Sequence, residues 1–345
     1  MIHKYKLFDM DIVLDVYSGA VHVVDDCLYD MLDYLLEPFL PESECPQFII
    51  DELSSKYPKE DIRDCYTDIC ELYNNGQLFT DDCYEQFAKN WNKQSVVKAL
   101  CLHIAHDCNL RCKYCFAGTG EYHGARGMMS AETGKKAIDF VIANSGNRKN
   151  IEIDYFGGEP LMNFDVVKRL VAYARSIEAE TGKRFRFTLT TNGVLVDDEV
   201  IDFANRECHN VVLSLDGRKE IHDACRVDYS GNGSWERIVP KFQRFVEKRG
   251  GKNYYMRGTF THANPDFLKD IQAMLDLGFT ELSMEPVVCA EGDPAALTRE
   301  DLPVVLKQYE ELAKLMIERR REGRPFTFYH YMIDLTGGPC IYKRI

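Results

Sequence analysis

Between residues 98 and 321 the chain alternates short β-rich runs with longer helical stretches, and this alternation restricts the fold more than any other feature. The β-rich runs predict six strands, at about 98–105, 151–156, 185–190, 210–215, 254–260 and 280–285. The stretches between and after them predict six helices, at about 130–144, 164–180, 197–206, 234–249, 265–276 and 300–321. Repeated units of this kind fold into a parallel sheet with right-handed crossovers. The sequence therefore predicts an α/β fold.

Three cysteines with the spacing C-x₃-C-x₂-C follow the first predicted strand. Cys108, Cys112 and Cys115 lie on one loop directly after the apolar run 99–105. Three thiols held this closely can ligate three irons of a [4Fe–4S] cluster and leave the fourth iron open to a ligand that is not protein. A closed zinc site formed with His103 or His106 is the alternative. Disulfides are disfavoured, because the 13 cysteines are an odd number and no secretory signal is seen.

Short polar or glycine-rich motifs end the other predicted strands. In chain order they are Gly157-Gly158-Glu159-Pro160, Thr190-Thr191-Asn192-Gly193, Ser214-Leu215-Asp216-Gly217, Arg257-Gly258-Thr259 and Glu285-Pro286. Together with the cysteine triplet this series resembles the radical S-adenosylmethionine (SAM) superfamily, and the resemblance extends to about residue 340. It implies a partial (β/α)₆ TIM-like barrel, in which the working residues lie at the carboxyl ends of the strands.

The resemblance also implies which residues hold the two cofactors, a [4Fe–4S] cluster and SAM. The cluster is assigned to the cysteine triplet, and the SAM amino group to the backbone of Gly157 and Gly158, with Glu159 orienting that loop. Asn192 and Ser214 would meet the SAM carboxylate or ribose.

Two arginines and two aromatic residues complete the predicted SAM site. Arg226 and Arg257 are alternative partners for the methionine carboxylate, since a guanidinium binds a carboxylate through two parallel hydrogen bonds. A salt bridge within the barrel is the other interpretation of either arginine. Tyr114 and Phe116 flank the third cysteine and would line the adenine, although packing against the barrel rim is a competing role.

The first 80 residues predict a separate small α+β domain. Two β-branched runs around Tyr17-Ser18-Gly19 indicate a hairpin, Asp26 is expected to cap a helix over about 27–37, and a second helix is expected from Lys59 to Asn74. This winged-helix-like pattern resembles the precursor-peptide recognition element fused to peptide-modifying radical SAM enzymes. A structural cap for the barrel is the alternative.

Charge is concentrated at the amino-terminal end of the chain. Residues 1–95 hold 7 Lys and Arg against 20 Asp and Glu, which accounts for the whole net charge of −13. Nucleic-acid binding depends on cationic neutralisation of phosphates, so a nucleic-acid partner is not expected. No apolar run has the roughly 18 residues that a membrane helix needs, and a cytoplasmic location in an anaerobic or oxygen-limited organism is expected.

Residues 81–97 predict a linker, residues 98–325 the barrel, and residues 326–345 the start of a cysteine-rich SPASM-like extension. Cys340 resembles the first ligand of an auxiliary cluster, but its partners are absent from these 345 residues. Auxiliary [4Fe–4S] clusters are therefore expected only in a longer chain.

These features most resemble the thioether-forming maturases of Cys-rich (six cysteines in forty-five residues, SCIFF) peptides. The resemblance implies reductive cleavage of SAM to a 5′-deoxyadenosyl radical, hydrogen abstraction from a substrate α-carbon, and a bond from that carbon to a cysteine sulfur of the peptide. The implied partners are a ribosomally made Cys-rich precursor peptide and a reducing donor such as flavodoxin or ferredoxin. The alternatives are an anaerobic sulfatase-maturating enzyme and a zinc-stabilised peptide-binding protein without catalysis.

Overall fold

The computed structural model describes residues 1–84, 96–290 and 292–332, which fall into two compact units, residues 1–84 and residues 96–332. The second unit contains every predicted cofactor-site residue. Cys340 and most of the predicted linker, including Trp91, lie outside the described residues.

The first unit contains a three-stranded antiparallel sheet and short helices. Its strands, in the order β1-β2-β3, are β1 (Ile2–Leu7), β2 (Met10–Asp15) and β3 (Val21–Val24). Its α-helices are Asp26–Met31, Gln47–Leu53 and Lys59–Asn74. The side chains of Met31, Ile49 and Ile62 are fully buried between these elements.

The predicted hairpin of this unit is present, and two details of its first helix differ from the prediction. The cap is Asp25 rather than Asp26, because the Asp25 side chain accepts the hydrogen bond from Leu28 N. The α-helix ends at Met31 instead of near residue 37, since the chain tightens into a 3₁₀ turn over Leu32–Tyr34. The strand β1 and the helix Gln47–Leu53 were not predicted, and the Lys59–Asn74 helix has the predicted bounds.

The second unit is built on an eight-stranded sheet in the order β11-β10-β9-β8-β7-β6-β4-β5. Its strands are β4 (Ala99–His106), β5 (Gly127–Met128), β6 (Asn150–Gly157), β7 (Arg184–Thr191), β8 (Cys208–Ser214), β9 (Tyr254–Phe260), β10 (Glu281–Pro286) and β11 (Thr327–Phe328). The pairings from β4 through β6 to β11 are parallel, and only the short β5 runs antiparallel, to β4.

Helices connect the parallel strands. They are Ala131–Asn144, Phe164–Thr181, Asp198–Glu207, Lys219–Cys225, Trp235–Lys248, Leu268–Asp276 and Leu302–Arg321. The predicted alternation of six strands and six helices is confirmed, with ends within a few residues, and the α/β fold with its mostly parallel sheet is the predicted one. The helix Lys219–Cys225 and the strands β5 and β11 were not predicted.

The strand alternation separates a buried core from a cavity-facing surface. In β6 the side chains of Ile151, Ile153 and Tyr155 are fully buried in the main hydrophobic core. Phe156 has the opposite parity and lines a cavity, because successive strand residues point to opposite faces of a sheet. This second face therefore carries the groups available to a ligand.

No helix of the described segments is long and apolar enough to cross a membrane.

Candidate cofactor site

A cavity of about 390 Å³ opens where the carboxyl ends of the parallel strands meet the cysteine loop, defined as residues 107–126. It is lined by every described residue that the sequence assigned to the cluster or to SAM. These residues are Cys108, Cys112, Tyr114, Cys115, Phe116, Gly157, Gly158, Glu159, Asn192, Ser214, Arg226 and Arg257. Their individual roles toward the cofactors stay predictions, but the fold brings all of them to one place.

The three cysteines present free thiols to this cavity. Burial raises the pKa of the Cys108 thiol to about 12 and that of Cys112 to about 11. Neutral thiols are therefore favoured here without a bound cation, whereas coordination to a metal removes the proton outright. Within the described ranges, no three or more His, Cys, Asp or Glu side chains are arranged to hold a single metal ion. Three thiols facing a shared cavity fit the donor set of a multi-iron cluster.

The glycines of Gly157-Gly158 allow the end of β6 to pack directly on the cysteine loop. Gly157 has φ +125°, and a Cβ at Gly158 would lie 2.1 Å from the carbonyl oxygen of Asp107. Gly158 N donates to Ala105 O at 2.8 Å, and Glu159 N donates to Asp107 O at 2.9 Å. The absence of Cβ at Gly158 is thus required by the backbone beside Cys108, whatever contact these glycines also make with SAM.

Glu159 joins this loop to the end of β7 from a fully buried position. Its carboxylate accepts hydrogen bonds from Thr191 Oγ1 at 2.9 Å, Asn192 N at 2.8 Å and Leu161 N at 3.0 Å. Burial outweighs these bonds and raises the pKa of Glu159 to about 7. Both carboxylate oxygens are engaged by protein donors, which suits the orienting role predicted for this residue.

Asn192 and Ser214 differ in how far their polar groups are already engaged. Asn192 Nδ2 donates to Asn109 Oδ1 at 2.7 Å, and Asn192 Oδ1 accepts from Val194 N at 3.0 Å. The Ser214 hydroxyl faces the cavity and makes no hydrogen bond with the described residues. Ser214 therefore retains its full hydrogen-bonding capacity for a ligand.

Asp216 is the centre of a buried network that the sequence did not reveal. It accepts hydrogen bonds from Arg226 Nε at 2.9 Å, Tyr114 OH at 2.5 Å and Thr259 N at 3.0 Å. Burial alone would raise the pKa of Asp216, but the Arg226 charge and these hydrogen bonds hold it below its ordinary value. From the sequence, Asp216 had no role beyond its place in the Ser214-Leu215-Asp216-Gly217 motif, because its partners lie at distant positions along the chain.

The two candidate arginines occupy different electrostatic environments. Arg226 is almost buried and ion-paired with Asp216 through Nε, so its remaining guanidinium nitrogens have a fixed direction. Arg257 also lines the cavity and is exposed, and its side chain forms no ion pair or hydrogen bond with the described residues. The salt-bridge interpretation thus applies to Arg226 and not to Arg257.

The aromatic residues beside the third cysteine also differ from each other. The Tyr114 hydroxyl donates a hydrogen bond to Asp216. The Phe116 side chain is 64% exposed and stacks on Phe156, with ring centroids 6.4 Å apart. Of the two side chains, Phe116 presents the more exposed ring to the cavity.

A second carboxylate in the cavity received no role from the sequence. Glu285 accepts hydrogen bonds from Ser283 Oγ at 2.6 Å and from His330 Nε2 at 3.1 Å, and His330 Nδ1 lies 2.9 Å from the Tyr309 hydroxyl. These hydrogen bonds outweigh burial and hold the pKa of Glu285 below its usual range. Glu285 belongs to the quoted Glu285-Pro286 motif, but His330 lies after the last helix, in a stretch without a recognisable signal.

The parallel strands end at a cysteine loop and a polar cavity, which is where α/β domains of this kind bind their ligands. The family model described as "Radical SAM superfamily" matches residues 102–256. This part of the chain is therefore similar to a radical SAM domain, and the predicted cofactors, SAM and a [4Fe–4S] cluster, are those characteristic of that superfamily.

Individual relatives agree with this assignment. The radical SAM cyclopropyl synthase TigE of Paramaledivibacter caminithermalis is 23% identical over 301 residues, which cover 78% of this chain and 61% of TigE. A cysteine-type anaerobic sulfatase-maturating enzyme of Clostridium novyi is 28% identical over 139 residues, 39% of this chain and 36% of the enzyme. A solved structure described as native anSMEcpe with bound AdoMet and Cp18Cys peptide has a TM-score of 0.59 at 21% identity, covering 68% of this chain and 64% of that one.

The chain thus spans less than two thirds of the length of these relatives. Their similarity supports the predicted superfamily and its SPASM-type maturases as a group. The narrower resemblance to SCIFF thioether maturases is not decided by them.

Proposed function

We propose that this chain is a radical SAM enzyme that modifies a ribosomally made peptide. The observation that carries the proposal is the convergence of three cysteine thiols, the Ser214 hydroxyl and the Arg257 guanidinium on one cavity at the strand ends. Among the described residues, neither the Ser214 hydroxyl nor the Arg257 guanidinium has a hydrogen-bond partner. A cluster needs the thiols, and a zwitterionic methionine moiety needs polar and cationic partners close to them.

Each group of residues has a distinct task in this proposal. The three thiolates hold the cluster, the backbone of Gly157 and Gly158 faces the SAM amino group, and Arg226 or Arg257 meets the carboxylate. When bound, the cluster and SAM together supply an electron and the 5′-deoxyadenosyl group for hydrogen abstraction, while the protein supplies orientation and exclusion of water. Asp216 keeps Arg226 in place, and Glu159 keeps the β6 loop in place.

The relatives support a peptide substrate. TigE is named as a cyclopropyl synthase and the C. novyi relative as a sulfatase-maturating enzyme, and the similar solved structure is described with a bound peptide. Thioether bonds within a Cys-rich peptide are the reaction proposed from the sequence. Formylglycine formation of the sulfatase-maturating type is the second candidate, and the similarity to those enzymes favours it. A flavodoxin or ferredoxin is the proposed electron donor for either reaction.

The cluster assignment predicts that protein purified without oxygen is brown and contains about four irons per chain. Changing Cys108, Cys112 and Cys115 together to Ala is expected to abolish the colour, the iron and the formation of 5′-deoxyadenosine from SAM. Iron analysis, visible spectroscopy and product chromatography measure the three quantities. Cys289→Ala is the matched control, because Cys289 lies outside the cysteine loop and the cavity. Stoichiometric zinc without iron after anaerobic reconstitution would favour the zinc-stabilised binding protein.

The first unit is proposed to recognise the leader of the precursor peptide by strand addition. Strand β3 is at the edge of its sheet, and Val21 and Val23 on it are 46% and 66% exposed. An edge strand offers unpaired backbone groups to an extended peptide. The acidic charge of residues 1–95 would add to the affinity for a basic leader.

This proposal predicts that Val23→Pro weakens leader binding at least tenfold, because proline removes a backbone donor and blunts the edge. Formation of 5′-deoxyadenosine without peptide should stay within twofold of wild type, since it depends on the second unit. Fluorescence titration of a labelled leader peptide, encoded near the gene, measures the affinity, and Val23→Thr is the control that keeps a β-branched residue. Equal affinity of the proline variant and wild type would assign the first unit the role of a structural cap.

A further inference from the structure

A short segment after the helix Lys219–Cys225 lies against the cysteine loop. This segment, residues 225–233, is called the strap. Arg111 N donates to Val227 O at 2.7 Å, and Lys113 N donates to Cys225 O at 3.1 Å. These two bonds attach the backbone between the first and third cysteines to an element about a hundred residues further along the chain.

The strap is held in shape by its own hydrogen bonds. Val227 and Gly233 form an antiparallel bridge, and the Asp228 carboxylate accepts from Ser230 N at 2.9 Å and from Asn232 N at 3.0 Å. The segment therefore presents Tyr229 in a defined position and is able to constrain the loop it touches.

Tyr229 covers the guanidinium of Arg111, whose carbon Cζ lies 3.6 Å from the centre of the Tyr229 ring. Arg111 Nη1 donates to three carbonyl oxygens of the cysteine loop, those of Cys108 at 2.6 Å, Leu110 at 2.7 Å and Thr119 at 3.2 Å. The Tyr229 hydroxyl donates to the same Cys108 carbonyl at 3.3 Å. One arginine thus connects the backbone at the first cysteine to Thr119, which follows the third cysteine, and the tyrosine holds that arginine by a cation–π contact.

The Arg111 guanidinium is held among neighbouring charges of the cysteine loop. Its side chain is 17% exposed, and Nη2 is buried without a hydrogen-bond partner among the described residues, 3.8 Å from the Asp107 carboxylate. Asp107 also pairs with Arg126, which lies 3.6 Å from the Glu121 carboxylate. Two arginines are thus matched by two carboxylates here, so the effect expected of Arg111 is on the shape of the loop.

We propose that Arg111 and Tyr229 are positioning residues that shape the cysteine loop for cluster binding. The proposal rests on the cluster assignment made above. Neither residue touches SAM or substrate in this role. Arg111 acts through its hydrogen bonds to the carbonyls of the loop, and Tyr229 acts through Arg111 and through its own hydrogen bond to the Cys108 carbonyl.

The test uses the full chain, reconstituted anaerobically with iron and sulfide. The measurements are iron per chain and the rate of iron loss to a chelator. Arg111→Lys keeps the charge but cannot donate to all three carbonyls at once, so iron loss is expected to be about tenfold faster. Arg111→Gln should lose iron at least as fast.

Two tyrosine variants separate stacking from the hydroxyl contact. Tyr229→Ala is expected to accelerate iron loss about fivefold, whereas Tyr229→Phe keeps the ring and should stay within threefold of wild type. Tyr173→Ala is the matched control, because Tyr173 also carries a cation over its ring, Lys135 at 4.9 Å, on a helix away from the loop. Circular dichroism of each protein before reconstitution checks that it is folded.

A wild-type rate of iron loss in Arg111→Gln would overturn this inference while leaving the cluster assignment intact. Absence of iron from the wild-type protein would instead remove the assignment on which the inference rests. If Arg111→Gln fails to fold, the comparison of Tyr229→Ala with Tyr229→Phe still decides, since equal iron loss in both would show that the ring does not hold the loop.

Discussion

Gly158→Val is expected to lose most of its iron–sulfur cluster and to destabilise the protein by about 3 kcal/mol or more. A Cβ at this position would lie 2.1 Å from the carbonyl oxygen and 2.5 Å from the carbonyl carbon of Asp107, which is next to Cys108 in the chain. Backbone atoms cannot rotate away as a flexible side chain does, so either the end of β6 or the cysteine loop must move. The hydrogen bonds that Gly158 N and Glu159 N donate across this contact would be lost with that movement.

Iron per chain after reconstitution and the midpoint of urea unfolding measure these two effects. Gly127→Val is the matched control. Gly127 directly follows the cysteine loop, but a Cβ at this position meets no atom within 4 Å. Gly158→Ala should be intermediate. A Gly158→Val protein with full iron and normal stability, but without SAM cleavage, would show that the glycine serves the cofactor and not the packing of the loop.

The positions of the elements and of the site could be predicted because both depend on local pattern. Strands such as β6 and β9 contain buried apolar residues at alternate positions, and their motifs lie at or close to the carboxyl ends of the strands. Since all carboxyl ends of a parallel sheet meet at one edge, residues as distant as Cys108 and Arg257 were expected to share a site, and both line the same cavity.

The partners of each side chain could not be predicted in this way, because they depend on contacts between distant parts of the chain. Arg226 and Arg257 were equivalent in the sequence, and only the fold shows that Arg226 faces Asp216 while Arg257 has no ion-pair or hydrogen-bond partner among the described residues. The stacking of Arg111 on Tyr229 joins two loops more than a hundred residues apart. Although Arg111 lies within the cysteine motif, that motif gives no indication of its partner.

The two errors in predicting the first helix of the first unit arise where neighbouring residues suit the same role equally well. Asp25 and Asp26 are both good capping residues, and the sequence does not show which carboxylate reaches Leu28 N. The helix that begins there was predicted to continue to residue 37 because its apolar spacing continues to Leu35. The backbone instead leaves the helical region at Leu35, with φ −97° and ψ 127°.

Asp216→Ala is expected to destabilise the protein and to release Arg226 from its fixed position beside the cavity. It removes the carboxylate that holds Arg226 Nε at 2.9 Å and leaves a nearly buried guanidinium without its counter-charge. Loss of one partner of a buried ion pair costs about 3–5 kcal/mol of stability. The Tyr114 hydroxyl and Thr259 N also lose their hydrogen-bond acceptor in this variant. The cysteine loop beside the third cysteine and the end of β9 are therefore each held by one hydrogen bond fewer.

The same variant identifies which arginine meets the methionine carboxylate. If Arg226 does, Asp216→Ala and the milder Asp216→Asn should weaken SAM binding at least tenfold in equilibrium dialysis of the reconstituted protein, and Arg257→Lys should change it less than threefold. The reverse ranking would assign the carboxylate to Arg257, because Arg257 does not depend on Asp216 for its position.

The pH dependence of stability supplies an independent check on the charge of Asp216. The folded-state pKa of Asp216 lies below its ordinary value, so its stabilising contribution is present above about pH 4 and is lost as the pH falls through the folded-state pKa. Urea unfolding of the wild-type protein should therefore show a loss of stability below pH 4 that is smaller in Asp216→Asn, and identical acid profiles would mean that Asp216 is not ionised in the folded protein.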